Sequence, residues 1–251
     1  MNRTQPRHTS DNDNKNNKRT LQCITWNVRG WGGRQDKVQK KMNKIKGELE
    51  GYDIIILTET HLSKEEEEIR KFEKHLQEYT LHHVHDKHNA SGRKGVTIGI
   101  KKNIVGEGDV KFTSDEGLED EGRWIKMELS NVLDKTVSIM GIYAPTKAQE
   151  RIKWLTSLQT EIQKTEGYRI IAGDFNFVMD TTVDKRGGRS NRGMIGSTHQ
   201  KRWEKEYNIV DIWRKKNPDT IGTTWTNGVK DPIKRIQTRI DRVLADKKNH
   251  K

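Results

Sequence analysis

The chain alternates between a few concentrated apolar runs and long polar stretches. Leu21–Trp26, Ile54–Leu57, Val137–Ile142 and Tyr168–Ala172 are short runs of the kind that become buried strands. Gly95–Lys101, Trp124–Leu129 and Thr238–Leu244 also read as strands, and Gly106–Gly122 reads as an acidic loop. Val38, Met42, Ile45 and Leu49 recur at helical spacing within Asp36–Glu50, and Gly51 follows at the stop position. Ser63–His75 opens with glutamates suited to a helix N-terminus. Thr146 with Gln149, and Ser197 with Gln200, have capping-box spacing. Ile152, Leu155, Leu158 and Ile162 form the expected buried stripe of the first of these two helices. Strand–helix–strand order around Tyr168 points to α/β packing.

The apolar runs end in chemistry-bearing residues. Leu21–Trp26 reaches Asn27, Ile54–Leu57 reaches Glu59, and Val137–Ile142 reaches Tyr143. Tyr168–Ala172 breaks at Gly173 into Asp174, Phe175 and Asn176. Asp174 and Asn176 share a side if the backbone stays extended. Asp241 stands within the last alternation. Converging strand ends would gather these six residues into one polar pocket. Phosphodiester attack needs a cation on the phosphate, a group that deprotonates or aims water, and donors for developing charge. Glu59 suits Mg²⁺, which one or two carboxylates hold while it keeps several waters.

The motifs WNVRG, LTETHL, GIYAP, GDFN and RID, in this order, resemble those of the endonuclease/exonuclease/phosphatase superfamily. Within it the chain is most similar to the AP-endonuclease-like endonuclease domain of non-LTR (LINE-type) retrotransposons. The stretches Asn208–Arg214 and Thr224–Asn227 add to that similarity. The resemblance covers about Leu21 to Asp246. It implies a four-layer α/β sandwich of the DNase I type, two mixed sheets with helices outside. It implies Mg²⁺-dependent cleavage of DNA, with Mn²⁺ as the substitute ion, nicking one strand and leaving a 3′-hydroxyl. Glu59 and Asn27 would adjoin the metal, Asp174 would position or deprotonate water, and Asn176 and Tyr143 would hold phosphate oxygens. Arg29, Thr224, Trp225 and Arg239 become candidate DNA contacts. A reverse transcriptase further along the same polyprotein is an implied partner, and the nucleus an implied location. The family pattern also implies a Ser-Asp-His strand beyond RID, which Asp241 would serve. The sequence ends at Lys251 without that motif, so an unfinished sheet and impaired catalysis are expected.

Composition sharpens this picture. The 251 residues are 33% charged and 30% hydrophobic, with a net charge of +12. Residues 151–251 hold 22 Lys/Arg against 12 Asp/Glu, a net of +10. A basic face of this kind meets polyanions, nucleic acid first. Lys185, Arg186, Arg189 and Arg192, directly after GDFN, are suited to clamping a phosphate backbone. Two rivals remain at this stage: a DNA-binding remnant without useful catalysis, and a phosphoinositide or phospholipid phosphoesterase of the same superfamily.

Residues 1–19 read as a disordered basic leader and 20–251 as the domain. No apolar stretch approaches a membrane span, and the leader has no apolar core of a secretory signal. A single cysteine, Cys23, excludes an internal disulfide and fits a reducing compartment; it reads as a buried filler. His61 has no partner at zinc-like spacing. His82, His83, His85 and His88 flank an expected turn and read as surface residues.

Overall fold

The computed structural model describes residues 20–31, 35–86, 94–106, 108–114, 122–130, 135–188 and 193–247, with backbone alone at 35–37. The expected leader and His88 lie outside the described residues. In chain order the elements are β1 (Cys23–Asn27), α1 (Gln35–Leu49), β2 (Ile54–Thr58), α2 (Glu66–His75), β3 (Tyr79–Val84), β4 (Val96–Lys101), β5 (Val110–Ser114), β6 (Trp124–Leu129) and β7 (Val137–Tyr143). There follow α3 (Ala148–Gln163), β8 (Tyr168–Asp174), β9 (Lys185–Arg186), α4 (Ser197–Glu206), β10 (Ile209–Asp211), α5 (Ile212–Lys216), β11 (Trp225–Thr226), β12 (Gln237–Thr238) and β13 (Asp241–Asp246).

Two mixed sheets carry the fold, ordered β1-β2-β4-β3 and β10-β13-β8-β7-β6-β5, and a small third sheet is ordered β11-β12-β9. The continuous apolar runs exist because strands here are buried on both faces. Ile54 and Ile56 of β2 face the second sheet and pack with Ile98, Ile125, Ile139 and Ala172. Ile55 and Leu57, one residue out of phase, face the other way and meet Met42, Ile45 and Leu49 of α1 and Phe72 of α2. On the far side, Met140, Ile142 and Ile171 pack under Leu155, Leu158 and Ile162 of α3 and Trp203 of α4. The layers therefore run helix, sheet, sheet, helix, as the four-layer expectation has it. Truncating one of these buried aliphatics to alanine costs about 2–5 kcal/mol.

Parallel pairing matters most for function. Asn27 ends β1 beside Thr58 at the end of β2, and Tyr143 ends β7 beside Asp174 at the end of β8. β13 runs antiparallel to β8, so its first residue, Asp241, faces Asp174. The polar residues that follow each apolar run thus emerge at one end of the stacked sheets. β1 is an edge strand among the described residues.

Several local expectations are corrected. Neither capping box forms. Lys147 caps α3 without a side-chain hydrogen bond, and Gly196 at φ 118° caps α4, which leaves Ser197 inside its first turn. The α3 stripe is Arg151, Leu155, Leu158 and Ile162, while Ile152 is 40% exposed. The acidic loop contains a strand, β5, because Val110 and Phe112 alternate onto the inter-sheet core. β8 continues through Gly173 rather than breaking there, and a Cβ at Gly173 (φ 144°) would overlap the Ile142 carbonyl oxygen. His83 is no surface residue: its ring is enclosed between Thr97 Oγ1 at 2.8 Å and Glu73 Oε1 at 3.1 Å. Cys23 is half-buried, and burial pushes its thiol up to about 12, which makes it a poor nucleophile.

Candidate active site

The loops after β1 and β2 prolong the parallel pairing of their strands. Val28 N donates to Thr58 O at 3.0 Å, Gly30 N to Glu59 O at 2.6 Å, and Trp31 N to Thr60 O at 3.0 Å. This pairing bends the backbone. Arg29, Glu59, His61 and Asn176 are four of the five described non-glycine residues with positive φ, at 51–55°. Such conformations are unfavourable for residues with a Cβ and concentrate where surrounding structure over-determines them. Here Arg29, Glu59 and Asn176 line one cleft, and His61 stands behind Glu59.

Asp174 lies at the centre, 2% exposed. Its Oδ2 accepts from Asn27 Nδ2 at 3.0 Å, and its Oδ1 accepts from Asn176 N at 2.8 Å. The second bond corrects an expectation: Asn176 reaches the site through a tight turn, not through extended backbone. Its amide nitrogen donates to Ala144 O at 2.7 Å, and the second hydrogen of that nitrogen remains to donate elsewhere. Burial raises the Asp174 pKa, the Glu59 charge adds to the rise, and the two hydrogen bonds oppose it. The Tyr143 phenol is held far above its ordinary range by burial first, and then by the charge of Glu59 and a hydrogen bond to it. It is therefore a neutral donor. His61 Nε2 stands 3.9 Å from Glu59 Oε2.

Asn27, Arg29, Glu59, Asp174 and Asn176 line one open cleft of about 700 Å³. Its other wall includes Lys185 of β9, Trp225 of β11 and Thr238 of β12. Arg186 is exposed beside Lys185; Arg189 and Arg192 lie outside the described residues. Asp241 faces Asp174 across the β8–β13 pair, and burial together with the Asp174 charge pushes it up to about 7. Thr224 is exposed, and its hydroxyl accepts from Ile240 N and Asp241 N at 3.1 Å each.

Arg239 is placed differently from expectation. It is 3% exposed. Its Nε is 2.6 Å from Asp184 and its Nη2 2.8 Å from Asp211, and it stacks 5.1 Å from the Trp213 ring centroid. An arginine committed in this way anchors structure and has no free face for DNA. Pattern reading missed three further buried arginines around the site. Arg123 donates to Tyr143 O at 3.2 Å and lies over the Tyr143 ring. Arg151 holds the carbonyls of Pro145, Thr146 and Ile195. Arg242 lies under the Phe175–Phe177 turn. A signal existed for two of them, since Arg151 and Arg242 fall on the inward phase of a helix and a strand that are otherwise apolar there.

The donor set fits a hard divalent cation. Glu59 offers a carboxylate and Asn27 an amide oxygen, and such an ion is commonly bound by one or two carboxylates with water completing its shell. Among the described residues no cluster of three His, Cys, Asp or Glu is arranged for a metal.

Known proteins share this framework. Over 117 residues, 43% of this chain, it is 31% identical to the transposon TX1 uncharacterized 149 kDa protein of Xenopus laevis. The match spans only 8% of that protein. The AP endonuclease LMAP from Leishmania major superposes with a TM-score of 0.69 at 18% identity, over 90% of this chain and 79% of that one. The endonuclease domain of TRAS1, a telomere-specific non-LTR retrotransposon, superposes with a TM-score of 0.54 at 11% identity, over 91% and 86%. At such identities the two solved structures bear on the fold alone. The model of the Endonuclease/Exonuclease/phosphatase family matches residues 24–251. With that match added to the sandwich and its strand-end cleft, the chain belongs to the endonuclease/exonuclease/phosphatase family.

Proposed function

We propose that this chain is a divalent-cation-dependent DNA endonuclease that nicks one strand and leaves a 3′-hydroxyl. The observation that carries the reading is the set Asn27, Asp174 and Glu59 in one cleft, with Tyr143 bonded to Glu59 behind it and Lys185 on the far wall. Asp174, with its proton affinity raised, takes the proton from the attacking water. Its two hydrogen bonds fix which lone pairs face that water. The Asn176 amide donates to a phosphate oxygen as charge develops on it, and the Tyr143 hydroxyl does the same by turning its one hydrogen away from Glu59. Arg29, Lys185 and Arg186 hold the flanking phosphates and Trp225 packs along the strand, as positioning contacts. Glu59 and Asn27 would hold Mg²⁺, or Mn²⁺ in its place, which when bound neutralises charge on the phosphate. The match to a transposon protein supports a role in transposition; we extend this to retrotransposition in the nucleus, beside a reverse transcriptase of the same polyprotein. The match also favours DNA over a lipid phosphoester.

A second reading, a DNA-binding remnant with impaired catalysis, is favoured by Asp241, whose Oδ1 has no hydrogen-bond partner among the described residues. Conversion of supercoiled plasmid to open circles separates the two. Mg²⁺-dependent nicking that falls by about 10²–10⁴-fold in Asp174→Asn supports catalysis, and Glu59→Gln should abolish the response to Mg²⁺. Binding without nicking, or nicking indifferent to EDTA and to both substitutions, would sink the endonuclease reading.

A further inference from the structure

Arg242 is the second residue of β13 and 2% exposed, on the same inward phase as Leu244. A buried guanidinium is unfavourable unless its donors and its charge are met. Here the donors are met only in part. Nη1 donates to Phe177 O at 2.8 Å, whereas Nε and Nη2 have no hydrogen-bond partner among the described residues. In their place are ring faces: the guanidinium carbon lies 4.6 Å from the Phe175 centroid and 4.4 Å from that of Phe177. The two rings meet edge to face at 5.9 Å and 88°. Asp211, Asp184 and Asp174 offset the charge from further off. Burial pushes the guanidinium down to about 10, so it stays a cation at neutral pH.

The turn that Arg242 grips is the one that carries the chemistry. Phe175 N is tied to Ile240 O at 2.9 Å, and the Asn176 amide is tied to Ala144 O. The exit of the turn is held at Phe177 O by Arg242. Without the guanidinium that exit loses its carbonyl anchor and the wedge between its two rings together. Asn176, at φ 54°, would then be free to relax out of its strained conformation.

We propose that Arg242 is a positioning residue that fixes the Asp174–Phe177 turn and thereby aims Asp174 and Asn176 at the scissile phosphate. It acts through them and does not touch substrate. The proposal rests on the phosphodiester-cleavage reading above, and the test has an arm that does not.

The variants are Arg242→Met, which keeps the stem and loses the charge and the fork, and Arg242→Lys, which keeps the stem and the charge and loses the fork. Leu158→Ala, in the same core but on α3, controls for simple loss of stability. Hydrogen exchange in peptides covering residues 173–178 should quicken in Arg242→Met, less in Arg242→Lys, and not in Leu158→Ala at a temperature where all are folded. In nicking assays kcat should fall by about 10²-fold in Arg242→Met, as expected of misplaced catalytic groups, with KM for DNA unchanged. Unaltered exchange at 173–178 in Arg242→Met, or equal loosening in Leu158→Ala, overturns the proposal. An unsubstituted chain that never nicks overturns the functional reading instead, and the exchange data still decide whether Arg242 holds the turn.

Discussion

The two walls of the cleft are built in opposite ways. One wall is the ends of β1, β2, β7 and β8, long apolar strands whose last residues inherit the rigidity of a double-sided core. The other is the β11-β12-β9 sheet, made of two-residue strands with almost no core of its own. That small sheet is held by charge. Asp184, just before β9, pairs with Arg239, just after β12, and with Arg214 of α5; Arg239 reaches on to Asp211. Beyond it the chain from Val229 to Arg235 is exposed, with Ile233 90% exposed. One wall gains precision from packing. The other keeps a basic, exposed surface on an ionic anchor, which suits a wall that meets a polyanion.

Breaking the anchor should have the largest effect. Asp184→Ala leaves two arginines without their shared carboxylate, and loss of one partner from a buried ion pair costs about 3–5 kcal/mol. Denaturant unfolding should show that loss, and DNA affinity should fall with it. Stability close to that of the unsubstituted chain would mean that the small sheet does not depend on its anchor.

The packed wall should answer to pH. Asp241 has a folded pKa of about 7 against an ordinary 3.8, so the folded state binds its proton more tightly than the unfolded state. The stability this group contributes is fully present below the ordinary carboxylate range and is lost as pH rises through about 7. Asp174, also raised, adds in the same direction. The slope should reach roughly 1.4 kcal/mol per pH unit at most for each group. Unfolding free energies from pH 5 to 8 should fall in the unsubstituted chain and fall less in Asp241→Asn. Parallel curves for the two proteins would contradict the buried Asp174–Asp241 pairing.

The smallest effect belongs to the two cations of β9. Lys185→Ala and Arg186→Ala should each weaken DNA binding and flatten the log–log salt dependence by about 0.9 for each phosphate left without its cation. Arg186→Ala, at the exposed position of the two, should leave the unfolding midpoint unchanged. A salt slope unmoved in the double substitution would place the DNA elsewhere.

Much of the packed wall was legible in the chain. Ile54–Leu57 could only be a strand buried on both faces, and each such run led to a residue able to do chemistry. The second wall was not legible. Strands of two residues have no period, and a 3% exposed Arg239 has the same letter as a DNA-binding one. β5 was hidden by its acidic surroundings, and the capping boxes failed because Thr146 and Ser197 were claimed by other geometry. Thr146 gives its carbonyl to Arg151, and Ser197 sits one residue inside its helix.

By itself, then, the sequence determined the α/β layering, the order of strand ends and the residues those ends carry, because apolar periodicity and chain order are local properties. Tertiary structure alone decided that Asn27 meets Asp174 across 147 residues, that Asp241 faces Asp174, and that Arg239 and Arg242 turn inward while Lys185 lines the cleft. Those outcomes depend on strand register and on which charges a buried guanidinium finds, and neither is written in any single stretch of chain.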